Sequence, residues 1–131
     1  MKSLSLMLSS VFLFAVTNCL ADMEITIANI PFSFIAEGKT YPAGSYQFIE
    51  NTAESAVTIK GMPPNKEMGL ALIATRLAGR STTASDVDIV FDVAGNDHYL
   101  SEIHLPHVDG FYFKSARAKH THVTIKGKTK S

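Results

Sequence analysis

Within its 131 residues the sequence contains a single cysteine, Cys19. Intramolecular disulfides and C-x-x-C redox motifs are excluded, because each needs two thiols. A net charge is also missing, since 12 Lys and Arg balance 12 Asp and Glu. This balance favours neither nucleic acid nor an acidic surface as a partner. A hydrophobic fraction of 46% is typical of a globular chain, and the length suits one domain.

Motifs that carry chemistry are absent as well. The sequence has no glycine-rich phosphate loop, no G-x-S-x-G and no H-E-x-x-H. We therefore expect a non-catalytic protein without a cofactor. A hydrolase is the least favoured alternative, because a catalytic triad is recognised by its geometry and the order of residues does not test it.

The apolar run from Leu4 to Val16 lies near the N-terminus and is only thirteen residues long. A membrane-spanning helix needs roughly 20. Lys2 precedes the run, and Cys19 and Ala21 place small residues three and one before a cut after Ala21, which is the layout of a secretory signal peptide. We predict a signal peptide over residues 1–21, a single domain over 22–131, and export to the periplasm or beyond the cell, with no membrane span after cleavage.

A lipoprotein signal is the lesser alternative, because it would keep Cys19 at the new N-terminus. Asn18 stands where that signal normally has Gly, Ala or Ser. Cleavage after Ala21 would instead leave a domain of 110 residues without cysteine. Such a domain must be held together by its hydrophobic core alone, and its length is sufficient for that.

Apolar and polar residues alternate through most of the predicted mature chain, which indicates β-strands. Asp86 to Val93 is the clearest case. One face holds Val87, Ile89, Phe91 and Val93, and the other holds Asp86, Asp88 and Asp92. Shorter runs pair Ile25 with Ile27, Phe32 with Phe34, Tyr46 with Phe48, Val57 with Ile59, and Val123 with Ile125. Met68 to Thr75 would also suit a buried helix, but its short length and its neighbours favour a strand.

A hairpin is predicted where Gly95-Asn96-Asp97 separates the acidic strand from Tyr99 to Leu105. A loop with an odd number of residues keeps the apolar sides of the two strands together, whereas an even number opposes apolar and polar residues. The odd loop sets Phe91 opposite Ser101. It also sets Asp88 opposite His104 and Val90 opposite Glu102.

The first half of the mature chain carries a distinctive block, Ile30-Pro31-Phe32-Ser33-Phe34 followed by Gly38-Lys39-Thr40-Tyr41-Pro42-Ala43-Gly44-Ser45-Tyr46. This block resembles the start of a group of small exported bacterial β-proteins that read PF-x-F, then G-K-x-x-P-A-G-x-Y. The group has no assigned activity, so the resemblance implies export and a β-fold and no functional residues.

Metal binding is the most specific chemistry that the residues suggest. His120 and His122 project from one side of a predicted strand; Glu102 and His104 share a face, with Asp88 across the hairpin. Imidazoles with a carboxylate suit zinc or copper. The alternative is that all five are ordinary polar residues on the solvent-facing side of amphipathic strands. The sequence does not reveal the three-ligand arrangement that zinc needs.

Charge is segregated toward the end of the chain. Residues 81–113 carry six acids and no Lys or Arg, and residues 114–131 carry six bases and no acid. A basic strip with an exposed ring would suit an anionic envelope polymer or a lipid headgroup, and its members would be Lys114, Arg117, Lys119 and Tyr112. We favour the alternative that the C-terminal strand pairs beside the acidic hairpin, because opposite charges support strand pairing without a partner.

The predicted fold is all-β, a single antiparallel β-sandwich or small β-barrel of about seven to nine strands. The function that we expect is an exported, non-catalytic binding or structural module of the bacterial cell envelope, with an unknown polymer or protein as its partner. A metal-binding or small apolar-ligand-binding periplasmic protein is the alternative. An exported domain without a known nucleic-acid-binding motif is not expected to bind nucleic acid.

Overall fold

The computed structural model describes residues 25–79, 86–114 and 119–130. The predicted signal peptide and Arg117 lie outside these residues. The described segments contain ten strands and are without helix. These are β1 (Ile25–Ile30), β2 (Phe34–Ala36), β3 (Lys39–Tyr41), β4 (Gly44–Asn51), β5 (Ala56–Gly61), β6 (Met68–Leu77), β7 (Asp86–Ala94), β8 (Asp97–His104), β9 (Gly110–Phe113) and β10 (Thr121–Lys130).

Eight of the strands close into an antiparallel barrel, in the order β8-β7-β10-β1-β4-β5-β6-β9, and a pairing of β9 with β8 completes the circle. The remaining two, β2 and β3, form a hairpin attached to β8. The prediction of an all-β fold is thus confirmed. Of the two predicted architectures, β-sandwich and β-barrel, the structure has the barrel. The ambiguous segment from Met68 is a strand, as predicted. No helix in the described residues is long and apolar enough to cross a membrane.

The β7–β8 hairpin combines the two registers that the sequence allowed. Asp88 lies opposite His104 and Val90 opposite Glu102, as predicted. The prediction that Phe91 faces Ser101 is wrong, because the register shifts after Val90 and Phe91 faces Leu100. A β-bulge adds one residue to β8 at this point. The bulge lets a two-residue turn coexist with an apolar inner face along the whole hairpin.

The turn itself consists of Gly95 and Asn96, since Ala94 pairs with Asp97. Gly95 has a φ of +63°, which is the left-handed conformation that the first central position of a tight hairpin turn requires. We call the end of the barrel that holds this turn the Gly95 end, and the opposite end, where the chain turns after Asn51, the Asn51 end.

The β2–β3 hairpin fills a gap in the barrel wall. Strand β9 is only four residues long and pairs with the parts of β6 and β8 nearer the Asn51 end. Nearer the Gly95 end, β2 takes its place beside β8 through a parallel pairing of Ile35 with Tyr99. Strand β3 is the last strand in the order. It has no ladder with β6, but Lys39 and Tyr41 contact β6 at Met68 and Gly69. The sequence block from Ile30 to Tyr46, which contains this hairpin, therefore supplies the part of the barrel wall that β9 is too short to form.

The barrel interior is packed with aromatic rings. Phe34 lies at the centre, with Tyr41 stacked on it at 5.0 Å and Tyr46, Phe48 and Phe91 at centroid distances of 5.2 to 6.4 Å. All five are buried. Their large apolar area supplies much of the driving force for folding. A domain without disulfides thus has a dense core.

Each end of the barrel is covered by side chains. At the Gly95 end, Phe32 stacks on His98 at 3.9 Å and meets the edge of Phe91 at 5.0 Å. At the Asn51 end, Arg76 pairs with Glu50 at 2.6 Å, and its guanidinium lies 5.0 Å from the centre of the Phe111 ring. The role of the block from Ile30 to Tyr46 is therefore mainly structural, because Phe34 fills the interior of the barrel and Phe32 covers one end of it.

Candidate functional site

The charge segregation of the sequence has a structural counterpart on the outer wall. Strands β7 and β10 pair so that Asp88 faces Lys126 and Asp86 faces Lys128. The Lys126 ammonium contacts the Asp88 carboxylate directly. The prediction that the basic C-terminal strand pairs beside the acidic hairpin is therefore confirmed.

The same register brings together two of the five predicted metal ligands and one residue that the sequence did not reveal. Asp92 lies directly across from His122. The Asp92 Oδ1 is 2.9 Å from His122 Nδ1 and 3.8 Å from His120 Nε2. One donor atom from each residue lies within 4.8 Å of the others. We call these three residues the His–Asp cluster.

The other three predicted ligands lie elsewhere on the wall. Glu102 and His104 contact each other at 3.2 Å, and Asp88 is opposite His104. Because Asp88 and Asp92 are four residues apart on one strand, about 13 Å separates the two groups. The expected set of five is thus divided, and Asp88 is engaged by Lys126.

The predicted surface-binding residues occupy separate places. Tyr112 points outward from β9 and is half-buried beside Glu102, while Phe111 and Phe113 are buried. Of the three consecutive aromatic residues at 111–113, only Tyr112 thus faces outward, because side chains alternate between the two faces of a strand. Lys114 follows β9 and Lys119 lies shortly before β10, and both are exposed. Their binding role stays a prediction.

A second feature of the wall is apolar. Met68, Leu70 and Leu72 alternate along β6, so their side chains share the outer face. They are 57%, 40% and 54% exposed. We call these three side chains the β6 stripe. Scattered exposed apolar residues are ordinary, but these three follow one another on the same face of one strand.

Charged side chains of the β2–β3 hairpin border the β6 stripe. The Leu72 N–H donates to a Glu37 carboxylate oxygen at 3.0 Å, and the Lys39 ammonium donates to the Met68 carbonyl at 2.6 Å. Lys39 also pairs with Glu67 at 3.5 Å. The rim therefore carries both signs of charge around an apolar centre.

Two pockets open at the Gly95 end. The larger, of about 430 Å³, lies between the Pro42–Ser45 turn and the Met62–Asn65 loop. The smaller, of about 280 Å³, lies on the other side of that loop, against Gln47 and Lys60. Asn65 stands between them and is used structurally, since its Oδ1 accepts the Glu67 N–H at 3.0 Å. The larger pocket is lined mainly by small and apolar residues, whereas charged side chains, Lys60, Lys66 and Glu67, line the smaller one.

Compared with known proteins, the chain matches no family model, no curated protein and no solved structure. The resemblance of its first block to small exported bacterial proteins remains a prediction. The two features of the outer wall, the His–Asp cluster and the β6 stripe, are therefore the places from which a function can be inferred.

The sequence contained a signal for each feature. Asp92 belongs to the alternating acidic face, but its ligand partners are almost 30 positions away and only strand pairing reveals them. Leu70 and Leu72 read as core residues because they are apolar, and nothing local says that they face outward. Both features depend on which strand lies beside which.

Proposed function

We propose that the protein is an exported, non-catalytic module of the bacterial cell envelope that binds a partner protein through the β6 stripe. The observation that carries this proposal is the outward exposure of Met68, Leu70 and Leu72 on one strand. Exposed apolar patches on soluble domains mark interaction surfaces. Methionine suits such a surface because its flexible thioether adapts to different shapes.

The border of the stripe favours a protein as the partner. An anionic polymer or lipid surface is attracted by charge of one sign. Lys39 and Glu67 instead form an ion pair beside Met68. An apolar centre with a polar rim of mixed charge is the anatomy of a protein–protein interface. The partner would present an apolar surface of its own to the three side chains.

The interior of the barrel does not favour the alternative of an enclosed apolar ligand. Such a ligand needs a cavity of at least about 300 Å³. The aromatic rings around Phe34 are in mutual contact and buried. The described pockets open instead to the surface near Met62–Asn65. A filled interior leaves the outer wall as the place for recognition.

Site-directed photo-crosslinking in cells that export the protein tests the proposal. A photoreactive residue at position 70 is compared with one at position 108, because Leu70 and Val108 are 40% and 41% exposed. We expect a discrete adduct with another protein from position 70 and none from position 108. Leu72→Lys should abolish the adduct, since a charge in the stripe cannot be desolvated cheaply.

Thermal unfolding of Leu72→Lys supplies the folding control. The side chain points away from the core, so the melting temperature should stay within a few degrees of the parent. Equal crosslinking from positions 70 and 108 would contradict the proposal. So would an adduct that persists in the Leu72→Lys protein, or one that contains only a second copy of this chain.

A further inference from the structure

We propose that Asp92, His120 and His122 form a binding site for one divalent transition-metal ion of the zinc or copper class. The site lies on the outer wall at the Gly95 end, across the β7–β10 pairing. It is separate from the β6 stripe, because β1, β4 and β5 lie between β10 and β6 in one direction around the barrel, and β8 and β9 lie between β7 and β6 in the other. The metal site and the proposed function therefore stand on different observations.

Strand pairing holds the ligands in place. Asp92 and His122 are cross-strand partners, and their Oδ1 and Nδ1 atoms are 2.9 Å apart. His120 lies one residue before the start of β10, and its ring centroid is 4.9 Å from that of His122. Ligands of a tetrahedral zinc ion lie about 3.3 Å from one another when each bond is close to 2 Å. The distances from Asp92 Oδ1 to the two imidazole nitrogens, 2.9 and 3.8 Å, lie on either side of this value.

The Asp92 carboxylate is the anchor of the site. Its side chain is only 4% exposed, although it is on the outer face of β7. The reason is its position between two larger side chains, His122 on one neighbouring strand and Tyr99 on the other. Water solvates such a carboxylate poorly, so a cation that it contacts is attracted strongly.

The donor set selects the class of metal. Two imidazoles and one carboxylate suit zinc, copper and nickel, whereas calcium and magnesium prefer oxygen ligands alone. His122 is 57% exposed and His120 is 25% exposed. Three protein ligands on an open surface leave coordination positions for water or for a ligand from outside.

The remaining predicted ligands form a poorer site. Glu102 and His104 supply two donors, and the third carboxylate, Asp88, contacts the Lys126 ammonium. A metal ion would have to displace that ammonium and overcome its charge. His104 is therefore a natural control, since it is a wall histidine beside a carboxylate but outside the His–Asp cluster.

Calorimetric titration of the purified exported protein with Zn²⁺, and separately with Cu²⁺, tests the proposal. We expect one ion per chain. His122→Ala and Asp92→Asn should each weaken binding by at least about tenfold, because loss of even an indirect ligand contact has that effect. His104→Ala should bind like the parent. The absorption spectrum of bound Co²⁺ should show intense d–d bands of low coordination number and lose them in His122→Ala.

His122 is exposed, so its substitution leaves the fold intact even if Asp92→Asn lowers stability, and thermal unfolding of each variant verifies this. Unchanged affinity in the His120→Ala/His122→Ala double variant would overturn the proposal. A titration with no binding by the parent, or equal losses in His104→Ala and His122→Ala, would overturn it too. The stripe proposal would be unaffected by any of these results.

Discussion

The Tyr41 hydroxyl lies directly over Gly69, so closely that a Cβ at position 69 would be 1.7 Å from it. This contact joins the β2–β3 hairpin to β6 where no strand ladder connects them. Tyr41 is fully buried, and among the described residues its Oη has no hydrogen-bond partner. The missing side chain of Gly69 thus makes room for a ring that belongs to the core.

Gly69→Ala should destabilise the protein by about 2 kcal/mol or more, because the new methyl group overpacks a tight contact. In an open strand position the same change would be mildly stabilising. Tyr41→Phe alone should be neutral or stabilising by about 1 kcal/mol, since it removes a buried hydroxyl without a partner. Equilibrium unfolding in denaturant measures both changes.

The double variant Gly69→Ala/Tyr41→Phe is the control for that contact. It should recover part of the loss, because the Tyr41 Cζ atom would still be 2.9 Å from the new Cβ. Strictly additive effects of the two substitutions would show that Tyr41 and Gly69 do not interact in the way described.

Stability should fall in alkali. Burial, with a further contribution from the Glu67 charge, raises the pKa of Tyr41 above its ordinary value of about 10. Burial also raises the pKa of Tyr46, although a hydrogen bond with Asn65 opposes the shift. The folded state therefore keeps its phenol protons at a pH where the unfolded chain loses them.

Below about pH 10 these tyrosines contribute fully to the stability of the folded state, because both states keep the phenol protons. The contribution is lost as the pH rises through their raised pKa values, because the unfolded chain loses its protons first. Thermal unfolding between pH 8 and 12 should show this loss, and Tyr41→Phe should make the decline shallower. An identical pH profile for the parent and Tyr41→Phe would contradict the assignment.

Glu37 should protect the Leu72 amide from solvent exchange. Its carboxylate accepts the Leu72 N–H at the exposed edge of β6. In Glu37→Ala the exchange of this amide with D₂O should accelerate, while global stability changes by less than about 1 kcal/mol because the bond is exposed to water. Glu37→Gln keeps an oxygen acceptor and should retain most of the protection. Equal exchange in all three proteins would refute this role.

The Asp88–Lys126 ion pair should contribute little to stability, in spite of the contact that joins the two side chains. Lys126 is 65% exposed, so water and salt screen the pair. A double-mutant cycle with Asp88→Ala and Lys126→Ala should give a coupling below about 1 kcal/mol that shrinks in high salt. A larger coupling, or one that salt leaves unchanged, would show that the pair is a main support of the β7–β10 pairing.

Export should remove the first 21 residues. Mass spectrometry of the protein recovered outside the cytoplasm should give a chain that begins at Asp22 and carries no lipid. Ala21→Arg should block processing because the cleavage position needs a small residue. Ala21→Ser should permit it. A mature chain that begins at Cys19 with an added lipid mass would show the lipoprotein alternative to be correct.

Alternation in the sequence was enough to predict most of the strands, but not always which face of a strand is the inner one. On β1, Ile25 and Ile27 share a face as predicted, yet the buried residues are Thr26, Ala28 and Ile30. On β6, Leu70 and Leu72 are outside, although Ile73 packs against the core. The inner face is chosen by the neighbours: the core space beside β6 is filled by Tyr41 from the β2–β3 hairpin, which only Gly69 can accommodate.

The metal-site ligands were likewise predicted only in part from the sequence, and strand pairing decided the rest. The spacing of His120 and His122 already indicated a pair of ligands on one side of a strand, because a strand repeats every two residues. The third ligand could not be predicted, since Asp88 and Asp92 are equivalent in the alternating pattern. The pairing of β10 with β7 decides between them by placing Asp92 beside the histidines and Asp88 beside Lys126.

The sequence by itself determined that the described chain is all-β, and it determined the register of the β7–β8 hairpin from Asp88 to Val90. Local steric and hydrophobic periodicity is sufficient for these properties. Only the tertiary structure decided that the wall closes into a barrel, that a bulge adjusts the hairpin near Phe91, and that Leu70 and Leu72 face outward. These features arise from contacts between segments distant in the chain, and such contacts form only when the strands pack around the shared aromatic core.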